Sequence, residues 1–235
     1  SSLLKTFYGT NVTELPEDLF EGLGTDATKI EMSNTFFGCK QLAALPAGLF
    51  DPVATKLTTI NACFQKCTVL KSIPEGFGNS LTVLTNAGNA FYGCEALESL
   101  PSEMFKGAAA KLSNLSSMFS GCTSLKSVPD GLFGFIAARN ANFLNCFSAC
   151  TSLKSVGADV FPSTVSSTGL NSTFSGCTSL TDISGKVFSK CGSVTTLMRT
   201  FYGCTALETL PSGLFAGMVK VATFDQTFSG CTGLE

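Results

Sequence analysis

Histidine is absent from this 235-residue chain. Its absence removes Ser-His-Asp and Cys-His catalysis, and with them every metal site that relies on imidazole. Charge is sparse: 15 Lys and Arg stand against 17 Asp and Glu, for a net charge of −2, and charged residues make up only 14% of the chain. The two signs are interspersed, leaving no basic stripe for nucleic acid and no acidic tail for a basic partner. No run approaches the roughly 18–20 consecutive apolar residues of a membrane-crossing helix, so no membrane insertion is expected within this segment. The glycine-rich stretches at residues 22–25 and 76–80 lack the P-loop lysine, and no carboxylate pair stands out. The chain therefore reads as non-enzymatic and free of cofactors.

What is present is repetition. Phe7, Phe36, Phe64, Phe91, Phe119, Phe147, Phe174, Phe201 and Phe228 mark nine copies of a unit of 27–29 residues. Counting that phenylalanine as position 0, Cys follows at +3, Leu at +6, a second aliphatic at +9 and another Phe near +14; Pro stands at +10 in five copies, and Gly157 and Ser184 replace it in two. A fixed period of this length is the signature of a solenoid whose units bury their apolar faces against one another. The expected fold is an α/β solenoid, one domain over residues 1–235, with short parallel strands on one side and short helices and loops on the other.

Apolar residues at −7, −4, −1, 0 and +3, such as Leu112, Leu115, Met118, Phe119 and Cys122, match one stripe of a helix, with Gly at +2 as its left-handed cap. Ser166 and Ser193 are the expected N-caps. The segment from +3 to +9 predicts a short strand, ended by Pro at +10. The sixth and seventh copies lose that proline and carry Asn140 and Ser167 at −7, so they are expected to be the least regular part of the array.

Eight of the eleven cysteines occupy the +3 column. Stacked strands lie about 4.8 Å apart, which sets in-register Cβ atoms beyond the ~3.8 Å a disulfide prefers, so the column reads as buried reduced thiols. Cys63-x3-Cys67 and Cys146-x3-Cys150 have the spacing of metal ligands on a helix, but they lie on the apolar stripe and read as core. Cys191 stands off the pattern and is expected to be the accessible thiol.

The combination F-x-G-C-T-x-L-x-x-L, preceded by a period-three apolar run as in LSNLSSMFSGCTSLKSV, resembles the BspA-like leucine-rich repeats of bacterial surface proteins over essentially the whole chain. The resemblance implies an extracellular, cell-surface module that adheres or binds protein. From the residues themselves, the candidate ligand face is the outward row at +4 and +7: Thr68, Lys71, Glu98, Thr123, Lys126, Thr151, Lys154, Thr178, Thr181, Thr205 and Glu208. Its expected partner is a protein or a glycan. Threonine for strand propensity and charge for solubility explain the same row without a ligand. Tyr8, Tyr92 and Tyr202 are further candidate contacts.

No polar capping repeat is visible at either end. Leu15 and Phe20 at one end, and Phe228 and Leu234 at the other, are expected to be under-covered. This predicts a segment of a longer surface protein or, as the alternative function, a structural spacer or end-to-end assembling unit.

Overall fold

In the computed structural model, which describes residues 2–235, the nine repeat phenylalanines form one stack. Neighbouring rings from Phe7 to Phe228 lie 5.1–5.7 Å apart with interplanar angles of 2–12°. Each ring from Phe36 to Phe201 is thus roofed and floored by its counterparts one repeat away and is fully buried. A second set, among them Phe50, Phe77, Phe105, Phe133, Phe161 and Phe188 near +14, is buried beside it. Leucines at +6 and cysteines at +3 complete a core that runs the length of the array.

The strand side is shorter than the sequence suggests. Ladder geometry is confined to pairs at +8 and +9: β3 (Ser127–Val128), β4 (Ser155–Val156) and β5 (Asp182–Ile183), stacked in parallel with Val128 opposite Val156 and Val156 opposite Ile183. Two of its three strands, β4 and β5, lie in the copies expected to be least regular, and the missing prolines are the reason. Gly157 and Ser184 keep the N–H that proline lacks, and donate it to Val128 O and Val156 O at 2.9 Å. Where Pro stands at +10, that rung cannot form. The irregularity falls instead on the other side of the coil, where Ala141 pairs with Val165 and Asn140 and Ser167 are exposed.

The expected helices are replaced by a ribbon of turns. In the second coil Met32, Asn34, Phe36 and Gly38 donate their N–H groups to Thr59, Asn61, Cys63 and Gln65 of the next coil at 2.7–3.0 Å. Residues between them close four-residue turns within the coil, Phe37 N–H to Asn34 O and Cys39 N–H to Phe36 O, both at 3.2 Å. The third residue of the turns that close at −1 and +3 is left-handed, as in a type II turn: Asn34, Asn89 and Asn145 at −2, and Gly38, Gly93 and Gly121 at +2, all have φ between 56° and 74°. Two left-handed residues four apart cannot belong to one right-handed helix. The apolar spacing of three, three, one and three is the spacing of successive turn corners, which point inward as a helix stripe would. Ser166 and Ser193 accordingly cap no helix. Among the described residues the helical elements are two single 3-10 turns in the outer loops, Asp51–Val53 and Lys106–Ala108.

The turn side carries strands of its own. β1 (Ile30–Glu31) and β2 (Leu57–Thr59) pair in parallel, and single bridges continue the row through Asn86, Asn114 and Asn142. Each coil is therefore bonded to its neighbours on two sides of a dry core. In the outer loop Gly78 is required twice over: its φ is +71°, and a Cβ there would sit 2.5 Å from Cδ1 of Phe105.

At the ends the expectation is half met. Phe228 and Leu234 are only partly buried, but Leu15 and Phe20 are 9% and 3% exposed. Phe20 stacks on Phe50 at 6.2 Å and tilts against Phe36. The loop after it is pinned by Lys56, whose ammonium donates to Gly24 O and Thr25 O at 2.8 and 2.9 Å. Leu3, Phe7, Val12, Leu19, Leu23 and Ala27 are the apolar residues left partly covered at that end. One repeat per coil, coil-to-coil backbone bonding and a continuous Leu, Phe and Cys core make the protein a leucine-rich-repeat solenoid.

Candidate functional site

The +7 column is a continuous row. Glu98 N–H donates to Lys71 O, Lys126 to Glu98, Lys154 to Lys126 and Thr181 to Lys154, at 2.9–3.2 Å. All five side chains are exposed, as is Glu208. Glu98 and Lys126 pair at 2.5 Å, and the hydrogen bond and positive charge of Lys126 hold the Glu98 carboxyl below its usual range. Lys154 has no acidic partner among the described residues and faces solvent as an uncompensated cation.

The +4 column is more structural than expected. Thr123, Thr151, Thr178 and Thr205 are stacked with their hydroxyls donating to the carbonyl one coil back, on Glu95, Thr123, Thr151 and Thr178, at 3.2–3.5 Å. Thr181 does the same to Lys154 O at 3.4 Å. Glu95 occupies the place between Thr68 and Thr123. The threonines thus contribute methyls and a stiff backbone to this face, while its exposed charges stand at +7. Thr68 and Thr123 are half-buried; Thr151, Thr178 and Thr205 are exposed.

Of the tyrosines, Tyr8 and Tyr202 are exposed and Tyr92 is half-buried. Tyr8 stacks flat on Phe37 at 4.7 Å, and Lys5 and Arg199 lie 5.5 and 5.8 Å from the Tyr8 and Tyr202 ring centres.

All eleven cysteines are free and buried. At +3 each thiol donates to the carbonyl of the preceding repeat phenylalanine, for example Cys122 to Phe91 O at 3.3 Å and Cys150 to Phe119 O at 3.2 Å. Cys63 and Cys146 are fully buried on the apolar side, as core. Cys191 corrects the sequence reading, since it too is fully buried and burial pushes its thiol up to about 12. It lies at +17, a column shared with Val53, Leu81, Ala108, Ile136 and Met218, all of which point into the core. The column was visible in the sequence, but its members differ too much in size to announce themselves. Cys231, in the last coil, keeps the greatest exposure of the eleven, 8%. A thiol titration of the native protein is expected to modify Cys231 first; modification of Cys191 ahead of both Cys122 and Cys150 would contradict its place in the core.

Among the described residues no three or more His, Cys, Asp or Glu side chains are grouped to hold a metal ion, and no helix is long and apolar enough to cross a membrane. A second row of side chains, which the sequence reading missed, lies on the turn ribbon, at −5. Thr59, Asn86, Asn114 and Asn142 form a polar row there, hidden because the stretch reads as helix.

Compared with known proteins, no family model matches the chain, and no curated protein matches it. Among solved structures it is similar to a leucine-rich repeat protein from Bacteroides ovatus, at 21% identity over 96% of this chain and 70% of that one, with a TM-score of 0.31. It is also similar to a leucine-rich repeat protein of T. pallidum, at 19% identity over 92% and 80% of the two chains and a TM-score of 0.32. A leucine-rich cell surface protein from Faecalibacterium prausnitzii aligns at 15% identity over 95% and 82%, with a TM-score of 0.23. Whole arrays superpose poorly at such scores, and the fold assignment rests on the bonding pattern described above.

Proposed function

We propose that this solenoid is a non-catalytic, surface-exposed module of a longer protein that binds a protein or glycan ligand through its +4 and +7 face. The observation that carries the reading is the row Lys71, Glu98, Lys126, Lys154 and Thr181, bonded residue to residue and bearing at Lys154 a cation without a partner. Side chains spaced by strand stacking on a rigid backbone lose little freedom on binding, and uncompensated charge steers a complementary partner. The BspA-like resemblance of the repeat supports an adhesive role at a cell surface, and so does the absence of any catalytic pairing in the sequence.

The test is a panel of immobilised extracellular-matrix proteins and glycans, probed with the parent and with the double variant Lys126→Glu, Lys154→Glu. The parent is expected to bind at least one component, and the double variant to lose about ten-fold or more in affinity for it. Undiminished binding by the variant would rule out this face. Binding to nothing, with light scattering that grows with concentration, would favour the end-to-end assembling role instead.

A further inference from the structure

The −5 row lies on the turn ribbon, away from the charged face. Its side-chain oxygens close their own turns: Asn86 Oδ1 accepts from Gly88 N–H at 2.9 Å, Asn114 Oδ1 from Ser116 N–H at 3.1 Å, and Asn142 Oδ1 from Leu144 N–H at 3.0 Å. Only an acceptor can meet an N–H, so these bonds fix which end of each amide is oxygen. Each Nδ2 group is left without a protein acceptor among the described residues, on a side chain that is only half-buried.

Closing the turn does not itself call for asparagine. Thr59 and Thr196 close the equivalent turn with a hydroxyl, at 3.1 and 3.2 Å, and threonine is the better strand former. What asparagine adds at the three middle positions is a fixed amide donor. Beside that row Gly88 opens a notch. A Cβ there would lie 3.0 Å from Asn114 Nδ2, 3.2 Å from Asn86 Oδ1 and 3.3 Å from Asn61 Oδ1, so three amides converge on the space a side chain would fill. A groove of about 540 Å³ adjoins it, lined by Thr58, Thr59, Asn61, Thr85 and Asn86. The charges in that groove, Lys29 and Glu31, pair with each other at 2.6 Å.

We propose that this row binds an extended, neutral, β-linked polysaccharide chain lying along the array, through Asn86, Asn114, Asn142 and the notch at Gly88. The groove offers hydroxyls and amides, which suit the paired donor and acceptor character of sugar hydroxyls. Its charge is internally neutralised, which gives no preference for an anion. It has no apolar pocket for the anchoring side chains on which a peptide partner depends. Successive coils step by about 4.8 Å, close to the advance of one residue in an extended β-1,4-linked sugar chain; alternate residues of such a chain are turned over, so successive amides meet hydroxyls from its two edges in turn. An α-linked glucan curls away from a straight row.

Calorimetric titration of the whole chain with cellohexaose and chitohexaose, against cellobiose and maltohexaose, tests this. At least one hexaose of the first pair is expected to bind about ten-fold more tightly than cellobiose or maltohexaose. Asn114→Asp keeps the oxygen that closes the turn and removes the donor; it is expected to weaken binding about five- to ten-fold, the worth of one lost hydrogen bond, with the unfolding midpoint unchanged. Gly88→Val, which fills the notch, is expected to weaken it at least as much. Reversing the charges of Lys126 and Lys154 is expected to leave this binding intact, which separates it from the ligand face proposed above. Failure of both hexaoses to bind at millimolar concentration, equal binding of maltohexaose, or undiminished binding by both Asn114→Asp and Gly88→Val would overturn the proposal.

Discussion

Raising the pH from about 8 to about 11 is expected to unfold this protein in one cooperative step, because that range brackets the ordinary thiol pKa and lies below that of a buried thiol. Burial raises the pKa of Cys67, Cys150, Cys191 and Cys204 to about 12, and raises Cys63, Cys94, Cys122, Cys146 and Cys177 at least as clearly. A thiol is neutral when protonated, so the folded state holds its protons while the unfolded chain releases them above about pH 8.5. The stability tied to these groups is complete below that value and is lost as the pH rises towards the folded pKa. One such group costs about 1.4 kcal/mol per pH unit, and nine together cost about 12, which rivals the 5–15 kcal/mol by which a folded protein is ordinarily stable. The midpoint is therefore expected about one to two pH units above the ordinary thiol pKa, well short of any single buried thiol's own value. Thiolate absorbance and circular dichroism recorded on the same samples check it. The two signals should move together. Thiolate appearing gradually from pH 8.5 with the dichroism unchanged would mean that the thiol columns are open to solvent.

The columns that carry this effect were legible in the sequence wherever one residue type repeats. Phe at 0, Cys at +3 and Leu at +6 announce themselves by identity, and all three lie in the core. The turn ribbon was not legible, because −7, −4, −1, 0 and +3 suit a helix stripe and a chain of turns equally well. The discriminating signal was Asn34, Asn89 and Asn145 at −2, together with Gly at +2: both places favour a left-handed backbone, and a helix has room for one such residue only, at its end. Proline misled in the opposite direction. Its loss at Gly157 and Ser184 reads as irregularity but restores a donor to the ladder, and the three-stranded sheet forms there. The charged face was legible as a row. That its threonine hydroxyls would be spent on the neighbouring coil's carbonyls was not, since this depends on how closely the coils stack.

Phe119→Ala is expected to cost about 3–5 kcal/mol, the range for truncating a buried phenylalanine, and to lower the unfolding midpoint by about 6–20 °C in a chain of this length. Phe119 is fully buried between Phe91 at 5.7 Å and Phe147 at 5.6 Å, with interplanar angles of 8° and 12°. Removing its ring opens a cavity that neither neighbour can fill, because both are held by the next rings along and by the backbone bonds of their own coils. In a solenoid each unit is stabilised by its two interfaces, and this substitution weakens both at once near the middle of the array. The flanking halves are then less tightly coupled, so the melt should broaden as well as shift. Phe228→Ala is the control: that ring is only partly buried and stacks on Phe201 from one side, at 5.5 Å. It should cost clearly less. A midpoint for Phe119→Ala equal to the parent's, or a cost no greater than that of Phe228→Ala, would show that the ring column does not hold the coils together.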